Sequence, residues 1–437
     1  MRLSVIGCGY LGAVHAACMA TLGHDVVGID VDVEKIAALN AGIPPFFEPG
    51  FPEILREALD SGRLSFSSTM ASAAGAEVHF LAVGTPQSVE GDGADLSYVF
   101  GATRELLPHL SAGNVLVGKS TVPVGTAEAL QEILDEAETG ATVAWNPEFL
   151  REGFAVGDTL HPDRIVYGLA AGERGQRAKA QLDAVYASPL ADGTPLIPTD
   201  FATAELVKVA ANAFLATKIS FINAMSEIAD VVGADVTDLA DAIGHDNRIG
   251  RRFLNAGVGF GGGCLPKDIR AFATRADELG VGSSLNFLRE VDSINLRQRE
   301  RVAALALAQL GTDPTGKRAV VLGLAFKPNS DDMRDSPALD VALRLHDAGV
   351  NVVSVDPAAV PRAQQLHPQL TTTTDINAAL TDAEVVVLAT EWPEFVQLDP
   401  TAIHARVKTP TIIDARNALA PSDWREAGWT YIGLGRP

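Results

Sequence analysis

The chain has few of the residues that build disulfide frameworks or metal centres. Its 437 residues include only three cysteines, Cys8, Cys18 and Cys264, and these form no CxxC pair. Because secreted disulfide scaffolds are rich in cysteine, we expect a protein of a reducing compartment, the cytoplasm. The nine histidines show no HExxH or HxH spacing, so we expect no structural or catalytic metal.

Positive charge is also scarce. The chain has 34 lysines and arginines against 55 aspartates and glutamates, and its net charge is −21. Duplex nucleic acid and anionic membrane surfaces both require a broad basic face, so we expect neither as a partner. An anionic small molecule remains compatible with a few cations gathered in one cleft. Beyond the N-terminal segment no long uncharged apolar run occurs, which predicts no membrane-spanning helix.

The residues that are present favour a large α/β protein. The composition is 47% hydrophobic and 20% charged, which excludes a disordered chain, and the length predicts about three domains. In the first 150 residues apolar strands alternate with helical patterns, at 3–6, 11–22, 25–30, 77–83 and 115–119. Continuous apolar strands between helices indicate a parallel sheet covered on both faces.

The N-terminal apolar run has two interpretations. It resembles a signal peptide, because Arg2 precedes an apolar stretch that ends at Gly23. The alternative is a strand, a glycine turn and a buried helix. Three glycines in GxGxxG spacing within the run, and a second strand opening at Asp25, favour this alternative.

One long helix is predicted in the middle of the chain. Ser188 to Asp200 contains three prolines and is predicted to be a linker. A helix then covers residues 202–232, with Asp200 as N-cap and Gly233 as its stop. The helix is apolar nearly all round, so we expect it to be buried, in part against its copy in a second subunit.

After a second predicted linker at 311–317 the first pattern returns. Strands at 318–323 and 351–356 flank a helix at 338–348, and the segment 383–390 echoes 76–83. This order predicts two related, doubly wound Rossmann-like domains joined by a helical middle. We place the cofactor domain at 1–198, the central helical domain at 199–312 and the C-terminal domain at 313–437.

The first motif that carries chemistry is GxGxxG at residues 7–12. Gly7 permits a tight turn, Gly9 lets the backbone approach a pyrophosphate, and Gly12 lets a helix pack on a strand. Asp30 ends the next strand, where a carboxylate binds both ribose hydroxyls and repels a 2′-phosphate. The motif therefore predicts NAD rather than NADP.

The second motif is a loop with five glycines among residues 257–263, followed by Cys264, Pro266, Lys267 and Asp268. A helix is predicted to begin at this point, and a helix N-terminus beside a lysine favours the thiolate. Cys264 is therefore a candidate nucleophile, although a lone cysteine can also be a small core residue.

Two further segments carry polar residues at suggestive positions. On the long helix Glu205, Lys208 and Asn212 form one row, where an ammonium and an amide can stabilise an oxyanion. The alternatives are a solvated stripe or a Lys208–Glu205 pair. Glu148 and Glu152, four residues apart after a strand, are candidate proton carriers or ordinary surface acids.

The last two segments follow strands directly. Thr121, in KSTVPVG, is placed to hydrogen-bond a cofactor or a water molecule. The loop at 323–334 takes the place of GxGxxG in the second Rossmann-like domain but lacks its glycine spacing. It should therefore not bind a second dinucleotide, and Lys327 and Arg334 instead offer cations to a phosphate.

Together the segments GFGGGCLPKD, NPEFLREG, KSTVPVG and FKPNSDDMRDSP resemble the UDP-glucose/GDP-mannose dehydrogenase family over essentially the whole chain. The resemblance implies an NAD-dependent, four-electron oxidation of a nucleotide sugar at C6, with UDP-glucose favoured. It implies a thiohemiacetal and then a thioester on Cys264, which water hydrolyses. It also implies a homodimer through the central helix.

The resemblance also assigns residues. The implied catalytic residues are Cys264, Lys208, Asn212, Asp268, Glu148 and Thr121. The implied cofactor contacts are Gly7, Gly9, Tyr10, Leu11, Gly12, Asp30, Lys35, Thr85, Thr121, Glu152, Lys267 and Arg334. The implied substrate contacts are Glu148, Phe149, Leu150, Arg151, Glu152, Lys208, Asn212, Arg248, Phe253, Leu254, Asn255, Ala256, Gly257, Gly261, Lys327 and Arg416. Gly263 departs from the family, where many members carry a bulkier residue, and this raises the question of loop rigidity.

Other functions remain compatible with parts of the sequence. The same chemistry on GDP-mannose or a UDP-N-acetylhexosamine would use the same catalytic residues. A one-step hydroxyacid dehydrogenase would need no nucleophile, and a non-catalytic NAD-binding sensor would bind ligands without turnover. A nucleotide-sugar epimerase is disfavoured, because no tyrosine has a lysine four residues on.

Overall fold

A computed structural model describes residues 1–89 and 91–437 of the chain. These residues form two compact units, Met1–Ala211 with Asp277–Gly280, and Asn212–Ala276 with Val281–Pro437. Each unit is built on one mainly parallel sheet.

The first unit contains an eight-stranded sheet in the order β3-β2-β1-β4-β5-β6-β7-β8. Its strands are β1 (Arg2–Ile6), β2 (Asp25–Ile29), β3 (Leu64–Ser67), β4 (Val78–Leu81), β5 (Val115–Gly118), β6 (Thr142–Trp145), β7 (Ile165–Leu169) and β8 (Leu196–Thr199). Neighbouring strands are parallel except β6 and β7, which are antiparallel. Because β1 lies inside this sheet, the N-terminal apolar run is a strand, as the preferred interpretation predicted.

Helices cover both faces of this sheet. They are α1 (Tyr10–Thr21), α2 (Val33–Asn40), α3 (Phe51–Asp60), α4 (Ser97–Leu106), α5 (Thr126–Glu136), α6 (Ala155–Leu160), α7 (Gly172–Val185) and α8 (Ala187–Ala191). Successive strand residues point to opposite faces, so Val5 packs in one buried cluster and Ile6 in another. The carboxyl ends of β1, β4, β5 and β6 meet at one edge, where parallel sheets bind ligands.

The prediction of a linker at Ser188 to Asp200 is wrong. This segment contains most of α8 and the whole of β8, which pairs with β7. Its prolines are compatible with this structure. Pro198 lies in an edge strand, where a missing N–H costs no ladder hydrogen bond on the open side.

The second unit contains a six-stranded parallel sheet in the order β11-β10-β9-β12-β13-β14. Its strands are β9 (Arg318–Leu322), β10 (Asn351–Val355), β11 (Thr371–Thr373), β12 (Val385–Leu388), β13 (Thr411–Asp414) and β14 (Thr430–Gly433). This order repeats that of the first six strands of the first unit, which confirms two related Rossmann-like halves. The predicted linker at 311–317 is confirmed as the connection to β9.

A long helix, α9 (Phe201–Val232), includes residues of both units, because the chain is divided between Ala211 and Asn212. The later helices are α10 (Val236–Gly244), α11 (Leu265–Glu278), α12 (Asn286–Leu310), α13 (Pro337–Asp347), α14 (Val360–Leu366), α15 (Ile376–Leu380), α16 (Pro393–Val396), α17 (Pro400–His404) and α18 (Pro421–Glu426). The predicted cap of α9 is confirmed, because Thr203 N donates to Asp200 Oδ1 at 2.7 Å. Gly233 follows α9 with a φ of 73°.

Within the single chain, α9 is only partly buried. Phe214, Phe221 and Ile228 are 66%, 47% and 54% exposed, so one apolar stripe of α9 is uncovered in the single chain. Within the described residues, no helix combines the length and apolar character needed to cross a bilayer.

Candidate active site

The glycine loop after β1 has the geometry that its motif predicted. Gly7 has a φ of 91°, and a Cβ there would lie 2.9 Å from the backbone of Ala82 and Val83. A Cβ on Gly12 would lie 1.8 Å from the Gly7 carbonyl oxygen, so only glycine permits this packing. At Gly9, by contrast, no atom of the described residues lies within 4 Å of such a Cβ. The backbone is therefore open where a pyrophosphate would approach, and NAD fits this loop.

Asp30 lies at the end of β2, beside the same loop. Its Oδ2 atom accepts hydrogen bonds from Cys8 N at 2.8 Å and Lys35 Nζ at 3.0 Å, and its Oδ1 atom accepts from Asp32 N at 3.0 Å. These contacts hold the carboxylate at the position that binds ribose hydroxyls in dinucleotide sites. The structure thus brings together Gly7, Asp30 and Lys35, as predicted.

Replacing Gly9 with alanine tests this cradle directly. A methyl group fits the protein itself but projects into the space that the cofactor needs. We expect the KM for NAD to rise at least about tenfold, with an unchanged Tm. Gly157→Ala is the matched control, because no atom lies within 4 Å of its Cβ either. An unchanged KM for NAD in Gly9→Ala would contradict this placement of the cofactor.

Glu148 and Lys208 form a buried ion pair in the first unit. Lys208 Nζ lies 3.0 Å from Glu148 Oε1, and the two side chains are 7% and 13% exposed. The other carboxylate oxygen, Oε2, accepts a hydrogen bond from Leu150 N at 2.6 Å. A cation and a carboxylate with fixed orientations are therefore adjacent, as acid–base chemistry on one substrate atom requires.

The alternative in which Lys208 pairs with Glu205 is wrong. Glu205 instead caps α5, because its two carboxylate oxygens accept from Gly125 N at 2.8 Å and Ala127 N at 2.7 Å. Burial raises the pKa of this carboxyl group, and the backbone donors oppose that shift. Glu205 thus ties α9 to the end of the KSTVPVG segment, a role that spacing along the helix could not reveal.

Two other contacts organise the sheet edge. Thr85 Oγ1 donates to the Thr121 carbonyl at 2.8 Å, so these two predicted cofactor contacts are neighbours. The buried Glu48 accepts from Gly153 N at 2.6 Å, from Ala155 N at 2.7 Å and from the Tyr10 hydroxyl. Sequence reasoning missed Glu48, which fixes the segment after Glu152.

Side chains around Glu148 are held by other partners. Arg151 binds Asp158 through two guanidinium nitrogens, at 2.9 Å and 2.6 Å. The Arg164 guanidinium lies 3.8 Å from the centroid of the Phe149 ring. These contacts fix the NPEFLREG segment before any ligand binds.

In the second unit, Cys264 directly precedes α11 and is exposed. One turn later Asp268 is buried, and its Oδ2 atom accepts from Asn212 Nδ2 at 2.7 Å. Lys267 Nζ lies 2.8 Å from Asp268 Oδ1. The structure therefore brings the predicted Asn212, Asp268 and Lys267 together one helical turn after Cys264.

The other two cysteines differ sharply from Cys264. Cys8 and Cys18 are buried, and burial raises the pKa of the Cys18 thiol to about 12 and that of Cys8 further. Neither can supply a thiolate near neutral pH, so Cys264 is the candidate nucleophile.

The glycine loop before Cys264 is held by buried side chains. Asn295 Oδ1 accepts from Phe260 N at 2.7 Å, and Asn295 Nδ2 donates to the Phe260 carbonyl at 3.0 Å. Asn223 Oδ1 accepts from Gly257 N at 2.8 Å. Arg416 donates to the carbonyls of Gly259 and Phe326 at 3.1 and 3.0 Å. Arg416, predicted to contact substrate, thus also supports this loop.

The glycine at position 263 lies close to the side chain of Arg334. A Cβ there would lie 2.3 Å from Arg334 Cζ, so a larger residue would require this exposed, flexible guanidinium to shift. Arg334 in turn binds Asp332 through Nε and Nη2. Gly263 therefore lies against the Arg334 guanidinium in this loop.

The remaining predicted substrate positions lie in the same unit. Phe253 has a φ of 65°, an uncommon conformation for an aromatic residue. Lys327 Nζ lies 5.0 Å from the Phe326 ring centroid. The Arg248 side chain is 89% exposed and binds Asp246.

Comparisons with known proteins agree over the full length. Three models of the UDP-glucose/GDP-mannose dehydrogenase family match, for its NAD-binding domain at 1–189, its central domain at 202–297 and its UDP-binding domain at 320–421. The chain is 42% identical to UDP-glucose 6-dehydrogenase of Rhizobium meliloti, over 100% of both chains. It is 41% identical to UDP-glucose 6-dehydrogenase TuaD of Bacillus subtilis, over 100% of this chain and 93% of that one.

A solved UDP-glucose dehydrogenase from Pyrobaculum islandicum is 39% identical, with a TM-score of 0.90 over 100% of this chain and 98% of its own. A UDP-D-ManNAc dehydrogenase from Pyrococcus horikoshii is 28% identical, with a TM-score of 0.86 over 100% of this chain and 99% of its own. With its motifs, its fold and its three domain matches in agreement, the chain belongs to the UDP-glucose/GDP-mannose dehydrogenase family and carries that family's NAD-binding domain.

Proposed function

We propose that this protein oxidises the C6 alcohol of UDP-glucose to the carboxylate of UDP-glucuronate, with two NAD consumed per sugar. The observation that carries the proposal is the exposed Cys264 thiol at the start of α11, with the buried Asn212–Asp268 pair one helical turn further on. An oxidation that stops at the alcohol–aldehyde stage has no need of such a nucleophile. The full-length relatives named UDP-glucose 6-dehydrogenase support the choice of sugar.

In this proposal each side chain has one task. Two NAD molecules, bound one after the other in the cradle after β1, would each accept one of the two hydrides that the oxidation releases. Lys208 and Asn212 polarise the C6 oxygen, which carries negative charge in both oxidation steps. The Cys264 thiolate forms a C–S bond with the aldehyde carbon, giving a thiohemiacetal, and the second oxidation converts this to a thioester.

Water then attacks the thioester, the C–S bond breaks and the thiolate leaves. Glu148 takes a proton from this water, with Thr121 as a hydrogen-bond partner, and Asp268 assists Lys208. The resemblance assigns these roles, and the ion pair between Glu148 and Lys208 at 3.0 Å supports them. The cofactor and substrate contacts predicted from the sequence are retained in the proposal.

A panel of nucleotide sugars tests the substrate. We expect NADH formation with UDP-glucose at a kcat/KM well above that with GDP-mannose, UDP-N-acetylmannosamine and UDP-N-acetylglucosamine. A preference for one of the other sugars would move the assignment to that sugar with the same chemistry. NAD binding without NADH from any of them would favour the sensor.

We also propose a homodimer through α9, in the cytoplasm, where the exposed thiol stays reduced. The uncovered residues Phe214, Phe221 and Ile228 recur every seven residues, so they lie on one face of the helix. A second copy of the same stripe is its natural partner, since an isologous interface is self-complementary. The exposed Arg248 is then available to the partner subunit.

The Phe221→Glu variant tests this dimer. A charge in the centre of the stripe should yield the sedimentation coefficient of a single 437-residue chain. Leu366→Glu is the control, because Leu366 is 58% exposed on α14, away from the stripe, and should leave the assembly unchanged. A dimer that persists in Phe221→Glu would contradict the proposed interface.

A further inference from the structure

Lys119 is a buried lysine to which the proposed chemistry assigns no task. Lys119 follows β5 directly and is only 6% exposed. Its Nζ atom donates to Asn146 Oδ1 at 2.9 Å and to the Tyr186 hydroxyl at 3.3 Å. It also lies 5.8 Å from the ring centroids of Phe80 and Tyr186.

The amide of Asn146 has a fixed orientation. Its Oδ1 atom accepts from Lys119 and from the Tyr186 hydroxyl at 2.6 Å, and its Nδ2 atom donates to the Val166 carbonyl at 2.9 Å. Asn146 lies two residues before Glu148 in the chain. Lys119 therefore anchors the start of the segment that carries Glu148.

The charges around Lys119 come from several elements. Glu148 after β6 attracts its ammonium, and Lys208 on α9 repels it. Burial, the largest effect, lowers the pKa of Lys119 to about 8. The neighbouring His15 on α1 and Tyr186 after α7 are buried, and burial lowers the pKa of His15 and raises that of Tyr186, so both are neutral at pH 7.

A contribution to the stability of the fold does not explain a lysine at position 119. Among the described residues no carboxylate lies within salt-bridge distance of its ammonium, and a buried charge without a direct counter-ion costs free energy. An apolar side chain of similar volume would fill the site at lower cost. A role in the chemistry of the adjacent pair accounts for the lysine.

We propose that Lys119 is a positioning residue for the hydrolysis of the thioester: its buried ammonium orients Asn146 and keeps the Glu148 carboxylate in place for proton transfer from water. This inference rests on the proposed function. Glu148 faces Lys208 on one side, and Lys119 supplies a second positive charge that remains when Lys208 turns to the substrate oxygen. The two oxidation steps use Lys208 and Cys264 and do not require Lys119.

The Lys119→Met variant separates these steps. We expect both NADH of the first turnover to form at nearly the wild-type rate, after which the enzyme stalls with the sugar bound to Cys264 as a thioester. The steady-state kcat falls about 10- to 100-fold, while the KM values for UDP-glucose and NAD change less than twofold. Quenched-flow measurement of NADH reports the first turnover. The intact mass of the quenched protein reports the thioester on Cys264.

The pH profile gives a second readout that a merely structural role would not change. Because the positive charge of Lys119 is present below about pH 8 and lost above it, the wild-type kcat should decline on the alkaline side. Lys119→Arg keeps its charge at all these pH values, so its decline should move to higher pH. In Lys119→Met this alkaline decline should be absent, since the titrating ammonium has been removed.

Asn146→Ala is the second variant, and it should stall at the same thioester if Lys119 acts through Asn146. An equal loss of the first-turnover burst and of kcat in Lys119→Met, with no thioester accumulated, would overturn the inference. So would a wild-type pH profile in Lys119→Met. The proposed function fails separately, if the wild-type protein itself forms no NADH from UDP-glucose.

Discussion

Replacing Cys264 with alanine is expected to lower steady-state turnover with UDP-glucose by roughly 10³-fold or more. The thiol is exposed at the start of α11, and the residue has no substitute, because Cys8 and Cys18 are buried. Without a thiolate the aldehyde has no covalent anchor, and the second oxidation loses its thiohemiacetal. NADH formation at saturating UDP-glucose and NAD measures the effect.

The matched control is Cys18→Ala, which removes a thiol of the same kind from the core of the first unit. We expect its kcat to stay within about twofold of the wild type, because the high pKa of this buried thiol excludes it from catalysis. Full turnover in Cys264→Ala would contradict the covalent mechanism and favour a one-step dehydrogenase.

The second large effect is expected for Lys208→Met. Lys208 is the cation at 3.0 Å from Glu148, and in the proposed mechanism it stabilises the negative charge on the C6 oxygen. Loss of one such donor lowers kcat about 10²- to 10³-fold in other enzymes, and we expect a loss of that size here. The affinity for NAD, measured by isothermal titration, should stay unchanged, because the proposed cofactor contacts do not include Lys208.

Lys179→Met is the control for the loss of a paired lysine. Lys179 binds Asp183 at 2.7 Å on α7, but its side chain is 37% exposed and far less buried than that of Lys208. We expect no change in its kcat, since exposed ion pairs contribute little. A kcat for Lys208→Met within a few-fold of the wild type would exclude Lys208 as the main oxyanion donor.

Local sequence patterns predicted the architecture well. The apolar strands β1 and β9 and the helices after them were visible in the sequence. Their local patterns agree with the tertiary structure, so two similar sheets could be predicted. The roles of Gly7, Gly9 and Gly12 were also predictable, because each depends on a turn within one motif. The identity of the catalytic groups depended on residue type and on resemblance.

The supporting contacts were beyond reach for a physical reason. Glu205 caps a helix 80 residues before it, and Glu48 holds backbone groups more than 100 residues after it. A carboxylate that caps a distant helix leaves no periodic signal, and neither does the burial of Lys119. Spacing along α9 suggested a local Lys208–Glu205 pair. In the structure both residues instead bind partners that are distant in the sequence.

The same reason applies to the segment 188–200. Prolines usually interrupt regular structure, and the sequence alone does not show that β8 lies at an edge of the sheet, where proline is tolerated. The apolar surface of α9 likewise cannot distinguish burial within one chain from burial against a second copy. Its uncovered stripe therefore emerges only with the tertiary structure.

The central claim, a four-electron oxidation through Cys264, is tested most directly by the end-point yield of NADH with limiting UDP-glucose at neutral pH. The account predicts two NADH per sugar, with UDP-glucuronate as the product. A yield of one NADH per sugar, with the aldehyde released into solution, would contradict it.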